Sequence, residues 1–240
     1  MHQSVSDAFV RFSSPLEGVV NNPYLDVKGL VTVAIGCLID PVSNGVGLPW
    51  VLPGGAPAPE AVVLRQLTAL KAQPNLAHFR AQSPEVLAAT TIRLTDAGVV
   101  ELVNKRLLAN EPFLRQAFPK WDTWPADAQL CACSIAWAVG AGWPAIFGNC
   151  ARLLEQDPPQ FLEAIEHAPD ESHPGQFLPA AVDISTKGNP GIVPRNAQNE
   201  LALSNAQVVL DRGLPIETLY WPRSPLSDLA PSQRAPLGQV

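Results

Sequence analysis

The chain has 240 residues and a mass of 25.7 kDa, which bounds it to one or two domains. Apolar residues make up 47% and charged residues 16%, a balance that excludes a disordered chain. Net charge is −6 with no block of Lys or Arg, which argues against a nucleic-acid binder. No run approaches the about eighteen apolar residues of a membrane span, so no membrane insertion is expected. Met1–Phe12 lacks a basic patch leading into an apolar core, so no Sec signal is expected. The 25 prolines are scattered between apolar stretches and predict many short elements joined by stiff loops.

In chain order, Ser4 or Ser6 is expected to cap a first helix running to about Glu17, with Asn21, Asn22 and Pro23 as stop signals. Tyr24–Val27 and Leu30–Leu38 read as two strands of a hairpin turning at Lys28-Gly29. In the second strand Val31, Val33 and Ile35 share one face. Thr32, Ala34 and Gly36 share the other, which is small and polar enough to line a cleft. The Gly/Pro-rich stretch 40–59 reads as a long loop or insertion. Helical signals follow: Val63, Leu67 and Leu70 after Pro59-Glu60, an N-cap at Ser83-Pro84-Glu85, and Val99, Leu102, Val103 and Leu107 after Thr95-Asp96. Pro125–Val139 is apolar nearly all round and predicts a buried central helix ended by Gly140 and Gly142. Helices are further expected over Pro144–Glu155, over Pro159–His167, and from near Pro194 to before Gly213, with 169–193 irregular. The predicted class is α+β, a single domain over 1–240. It has a β lobe and loop at 20–60, a helical lobe at 61–221 and a Pro-rich tail at 222–240.

Cys131 and Cys133 are two apart, which is neither a redox nor a zinc spacing. In their apolar segment they read as buried small hydrophobes; the other two cysteines are Cys37 and Cys150. His167 and His173 flank Asp170 and Glu171 in a Pro-containing stretch that reads as a solvated loop, with a metal site as the alternative. Phosphate-loop, dinucleotide and nucleophile-elbow patterns are absent from the sequence.

Glu17, Asp26 and Thr32 carry the chemistry. Folding the hairpin beside the helix end would gather two carboxylates and a hydroxyl at one cleft. That is what glycoside hydrolysis needs: one protonated carboxyl for the leaving oxygen, one ionised group to activate water or stabilise positive charge. Leu16, Val19 and Val20 are expected to surround Glu17 with apolar matter and favour its protonated form, while a wetter strand site keeps Asp26 ionised.

The run Leu16-Glu17-Gly18, Pro23-Tyr24-Leu25-Asp26, Gly29, Thr32, Ile35 and Gly36 resembles the N-terminal signature of the phage-type lysozymes, or endolysins, of glycoside hydrolase family 24. That signature is Glu-Gly, Tyr-x-Asp and Gly-x-x-Thr-x-Gly-x-Gly, and both intervals are kept, nine residues from Glu17 to Asp26 and six from Asp26 to Thr32. Ala136–Gly142 is similar to the Phe-Asn-Val-Gly-x-Gly stretch of the family's central helix. Gly191–Asn196 is similar to its Gly-Leu-x-x-Arg-Arg segment. Three positions depart: Ala34 stands for a Gly, Cys37 for a frequent His, and Ala138 for an Asn.

The resemblance implies a lysozyme-like fold and a muramidase that cuts the β-1,4 bond between N-acetylmuramic acid and N-acetylglucosamine. Glu17 would be the general acid, with Asp26 and Thr32 handling water in an inverting reaction. Neither metal nor organic cofactor is needed. Tyr24 and Trp50 are candidate sugar-binding groups, Trp50 as a stacking surface in the Gly/Pro loop. Arg195 is a candidate partner of the catalytic Glu or of substrate, with a surface salt bridge to Glu200 or simple solvation as alternatives. Rival readings are a non-catalytic glycan- or protein-binding module and a lytic transglycosylase. The expected partner is peptidoglycan, reached from the cytoplasm after holin release or by a type VI secretion system. In the secretion case an immunity protein would plug the cleft.

Overall fold

In the computed structural model, which describes residues 1–185 and 190–228, short antiparallel sheets accompany a majority of helix. This is the expected α+β class. The chain parts into two compact units, Val10–Arg106 and Met1–Phe9 with Leu107–Val240. Helices α1 (Gln3–Glu17) and α5 (Asp96–Ala117) each contribute to both.

In the unit Val10–Arg106, α1 stops at Glu17 because Gly18 takes a left-handed conformation (φ 75°), its N–H bonding the Ser14 carbonyl at 2.9 Å. Strand β1 (Val20–Leu25) thus begins before the expected Tyr24 and includes the three residues read as stop signals. Pro23 has no N–H to give the ladder, and the register to β2 slips between Val20 and Tyr24. The long second strand is in fact two, β2 (Val31–Ala34) and β3 (Cys37–Leu38), paired antiparallel in the order β1-β2-β3. A tight turn divides them, with Ala34 at φ 60° and Gly36 at φ 79°.

A Cβ at Gly36 would meet nothing within 4 Å, so backbone sterics alone oppose a side chain there. Gly36→Ala is expected to destabilise this unit by about 1–2 kcal/mol in urea unfolding, the left-handed penalty of an L-residue. Gly47→Ala is the control, having equal space but φ −80°, and is expected to lose nothing.

The stretch read as a long loop holds α2 (Ser43–Val46) and β4 (Trp50–Val51), the latter paired with β5 (Arg93–Leu94). Three bulky apolar groups of this stretch and its partner, Ile39, Trp50 and Leu94, are buried, which is why it folds inward. Helix α3 (Glu60–Lys71) buries Val63, Leu67 and Leu70, the stripe its sequence spacing predicts, and packs on β1 and β2. Helix α4 (Pro84–Ala89) is capped as expected, Ser83 Oγ accepting from the Val86 N–H at 3.4 Å. Thr95 Oγ1 accepts from the Gly98 N–H at 3.0 Å at the start of α5. Helices α3 and α4, expected in a helical lobe, group with the sheets.

In the other unit, α6 (Ala126–Val139) is buried over twelve of its fourteen residues, the central helix expected from its apolar circumference. Against it packs α10 (Val193–Arg212), ended by Gly213. The single helix expected over 144–155 is two, α7 (Trp143–Ile146) and α8 (Gly148–Leu154), followed by α9 (Phe161–Ile165). An aromatic cluster joins these elements, with Phe118 4.7 Å from Trp124 and 5.5 Å from Trp143, and Trp124 edge-on to Phe161 at 6.1 Å. All four cysteines are free and buried, Cys131 and Cys133 as expected. The serines at the start of α1 do not cap it. Ser6 Oγ donates to the Gln3 carbonyl and Ser4 Oγ to the Glu217 carbonyl, because the helix already begins at Gln3. Residues 169–185 are irregular. Residues 186–189 and the tail beyond 228 lie outside the described residues.

Candidate active site

The three-stranded sheet positions most of the predicted set. Tyr24 pairs with Thr32 across β1 and β2, and the Asp26 N–H bonds the Leu30 carbonyl at 2.9 Å. Directly opposed residues share a face of a pleated sheet, so Tyr24 and Thr32 lie on one side, with Asp26 in the turn just past β1. Leu25, Val31, Val33 and Cys37 lie on the other and are buried. The expected division of the second strand into an apolar face and a small polar one therefore holds through Ala34.

Asp26 holds its own turn. Its Oδ1 accepts from the Lys28 N–H at 2.8 Å and the Leu30 N–H at 2.9 Å, while its carbonyl accepts from the Gly29 N–H at 2.8 Å. Among the described residues Oδ2 accepts no hydrogen bond. Thr32 is buried, and its Oγ1 donates to the Leu30 carbonyl at 3.2 Å. Glu17 is the last residue of α1 and is exposed, so the apolar enclosure expected from Leu16, Val19 and Val20 does not form around it.

Tyr24 stands among these groups. Burial pushes its phenol up to about 12, helped by the neighbouring Asp26, Cys37 and Glu17. At neutral pH the phenol therefore keeps its proton and can donate a hydrogen bond.

A second clamp holds the turn. Asp40 Oδ2 accepts from Lys71 Nζ at 2.6 Å and from the Val31 N–H at 3.1 Å, and Lys71 Nζ also donates to the Gly29 carbonyl at 2.8 Å. The Lys71 bond, then the Val31 N–H, hold the Asp40 carboxyl below its ordinary value of 3.8. A lowered carboxyl adds stability that is present above its unfolded value and lost as pH falls through the folded one. Asp40→Asn is expected to cost about 1 kcal/mol at pH 7, with the gap to the natural chain closing below about pH 3. Thermal unfolding of both proteins across pH 2–8 checks it.

Arg106 is a site residue the sequence reading missed. It lies on α5, and its Nη1 donates to the Gly36 carbonyl at 2.9 Å, at the β2–β3 turn. Burial pushes the Cys37 thiol up to about 11 even though Arg106 beside it pulls the other way. A signal was present: Arg106 is seven residues after Val99, four after Leu102 and three after Val103. An arginine thus interrupts the apolar stripe of its helix.

Two predicted substrate-binding residues are placed elsewhere. Trp50 is 2% exposed and its indole N–H donates to the Gly45 carbonyl at 2.6 Å, so it is a core residue and not an open stacking surface. Arg195, in the other unit, is 1% exposed, and its Nη1 donates to Ser134 Oγ at 2.9 Å and to the Ser134 carbonyl at 3.2 Å. It joins α10 to α6 and is not on the surface to meet a glycan or water. Trp137 packs on Phe9 at 5.1 Å and is 4% exposed.

Compared with family models, with curated proteins and with solved structures, the chain gives no match. Among the described residues no helix is long and apolar enough to cross a membrane.

Proposed function

We propose that the unit Val10–Arg106 carries the glycosidase centre of a lysozyme-like peptidoglycan muramidase. The reading rests on one observation above all. Tyr24 and Thr32 share a sheet face, with Asp26 in the turn just beyond β1 and Glu17 at the end of the helix that leads into it, in a chain whose Glu–Asp–Thr intervals match the phage-type lysozyme signature.

In this mechanism protonated Glu17 gives its proton to the leaving oxygen of the glycosidic bond. Asp26 keeps Oδ1 engaged by the turn and uses Oδ2 to orient water and take the proton it loses on attack, and the Thr32 hydroxyl accepts a second bond from that water. Attack from the opposite side of the sugar inverts the anomeric centre, a course that calls for carboxyls roughly 6.5–9.5 Å apart. Tyr24 donates to a sugar oxygen. No metal or organic cofactor enters these steps. Peptidoglycan is the partner in this reading. Action on the wall follows release by a holin or secretion into a neighbouring cell, and in the second case an immunity protein would cover the Tyr24 face.

The test is mass spectrometry of purified sacculi digested with the full chain. Hydrolysis yields fragments ending in reducing N-acetylmuramic acid. Fragments lighter by one water would mark a lytic transglycosylase, and intact sacculi with retained binding would mark a glycan-holding module. Either of these results overturns the proposal.

A further inference from the structure

The unit that contains α9 and α10 holds a second group of titratable side chains. His167 lies just beyond α9, Asp183 on the irregular stretch that follows, and Glu200 on α10. One donor atom from each lies within 4.8 Å of the others, with His167 Nε2 3.4 Å from Asp183 Oδ2 and 3.9 Å from Glu200 Oε1. Ligands about 2.0–2.2 Å from one metal ion sit about 3–4 Å from each other, so the two measured edges fit a single coordination shell.

The backbone is set for this arrangement. The Asn196 amide makes both bonds to Ile184, Oδ1 accepting from its N–H at 3.0 Å and Nδ2 donating to its carbonyl at 2.9 Å. The Val182 N–H donates to the Ala164 carbonyl at 2.9 Å. Asp183 is therefore pinned on both sides. Glu200 lies one helical turn beyond Asn196 and so on the same face of α10. Two features among the described residues bear on what this cluster could hold. Asp183 Oδ1 is buried and accepts no hydrogen bond among the described residues. Two carboxylates also face one another with a histidine, which carries a positive charge only when protonated, as the third member. A divalent cation would answer both.

We infer that His167, Asp183 and Glu200 form a divalent-cation site of the zinc type, with a fourth position open to water. One imidazole nitrogen with two carboxylate oxygens is a borderline donor set that favours zinc over magnesium or calcium, which prefer all-oxygen shells. His167 and Glu200 are partly exposed, so the ion has a way in. Bound there, it ties the end of α9, the following stretch and α10 together. The site is separate in residues from the proposed glycosidase centre and stands or falls without it.

Titration of the full chain with zinc chloride by calorimetry, beside thermal unfolding, tests the inference. One zinc ion per chain and a rise in melting temperature are expected, with no rise from magnesium. His167→Gln, on an exposed side chain, and Glu200→Gln, which relieves a like-charge contact, are both expected to fold. Each should weaken zinc binding at least tenfold and erase the rise. Cobalt(II) in the natural chain should give a visible absorption band of low-symmetry nitrogen and oxygen ligation, lost in either variant. Asp170→Asn, at the exposed His173–Asp170 pair, is the control and should bind as the natural chain does. Absence of one-to-one binding, equal affinity in the His167 and Glu200 variants, or loss of binding in the Asp170 variant would overturn the site.

Discussion

Glu17→Gln is expected to lower the rate of sacculus cleavage by about 10²- to 10⁴-fold, the range a positioned general acid contributes. Gln keeps the shape of the side chain and removes the transferable proton. The fold should be untouched for a local reason. Glu17 is exposed in the last turn of α1, where the helix dipole opposes negative charge. Neutralising it therefore costs the helix nothing, and the melting temperature should hold while activity falls. Release of reducing ends, measured beside near-ultraviolet circular dichroism, separates the two effects. Cleavage at the natural rate by a folded Glu17→Gln chain would remove this residue from the chemistry.

Asp127→Ala is expected to destabilise the unit built on α6 by about 3 kcal/mol or more, the largest stability effect of any single carboxylate here. Asp127 lies in the first turn of α6 and is fully buried. Its Oδ1 accepts from Asn205 Nδ2 at 3.0 Å and the Trp221 N–H at 3.0 Å, and its Oδ2 from the Tyr220 N–H at 2.9 Å. Burial pushes its carboxyl up, while these donors and the start of the helix pull it down. Truncation to Ala removes the acceptor of the buried Trp221 N–H, of the half-buried Tyr220 N–H and of one Asn205 N–H, whose Nδ2 keeps the Arg223 carbonyl at 2.8 Å. Asp127→Asn should cost less, because the amide oxygen still accepts two bonds and only the Tyr220 N–H then meets another donor. Denaturant unfolding followed by tryptophan fluorescence reads the order directly, since Trp121, Trp124, Trp143 and Trp221 are all buried in this unit. Equal stability of the natural and Ala proteins would show that the segment after α10 is held by other contacts.

Arg195 and Asp127 share a lesson about polar groups in apolar helices. Both belong to the α6–α10 pair, and neither is at the surface. A charged residue near a motif reads naturally as a ligand contact, yet here Arg195 donates to the Ser134 hydroxyl and carbonyl and Asp127 accepts from the Tyr220 and Trp221 amides. Burying a charge is tolerable when its bonds are filled, and filled bonds leave little for a substrate.

Local signals in the chain determined a good part of this protein. The apolar circumference of α6, the Val63–Leu67–Leu70 stripe of α3, the Ser83 cap and the end of α1 at Glu17 all follow from short-range periodicity, capping chemistry and glycine conformation. So does the setting of Val31 and Val33 on the opposite side of β2 from Thr32, since alternation along a strand needs no distant partner. Tertiary structure decided the rest. Trp50 could be exposed or buried on its sequence alone, and the pairing of β4 with β5, more than forty residues later, buried it. The one long strand became β2 and β3 because Ala34 is held left-handed, a conformation that its residue type disfavours. Arg106 at the β2–β3 turn and the meeting of His167, Asp183 and Glu200 are likewise long-range outcomes. Periodicity reports which face a residue occupies within its own element. Which element covers that face is set by packing between segments far apart in sequence, and that is where burial, charge environment and site geometry are decided.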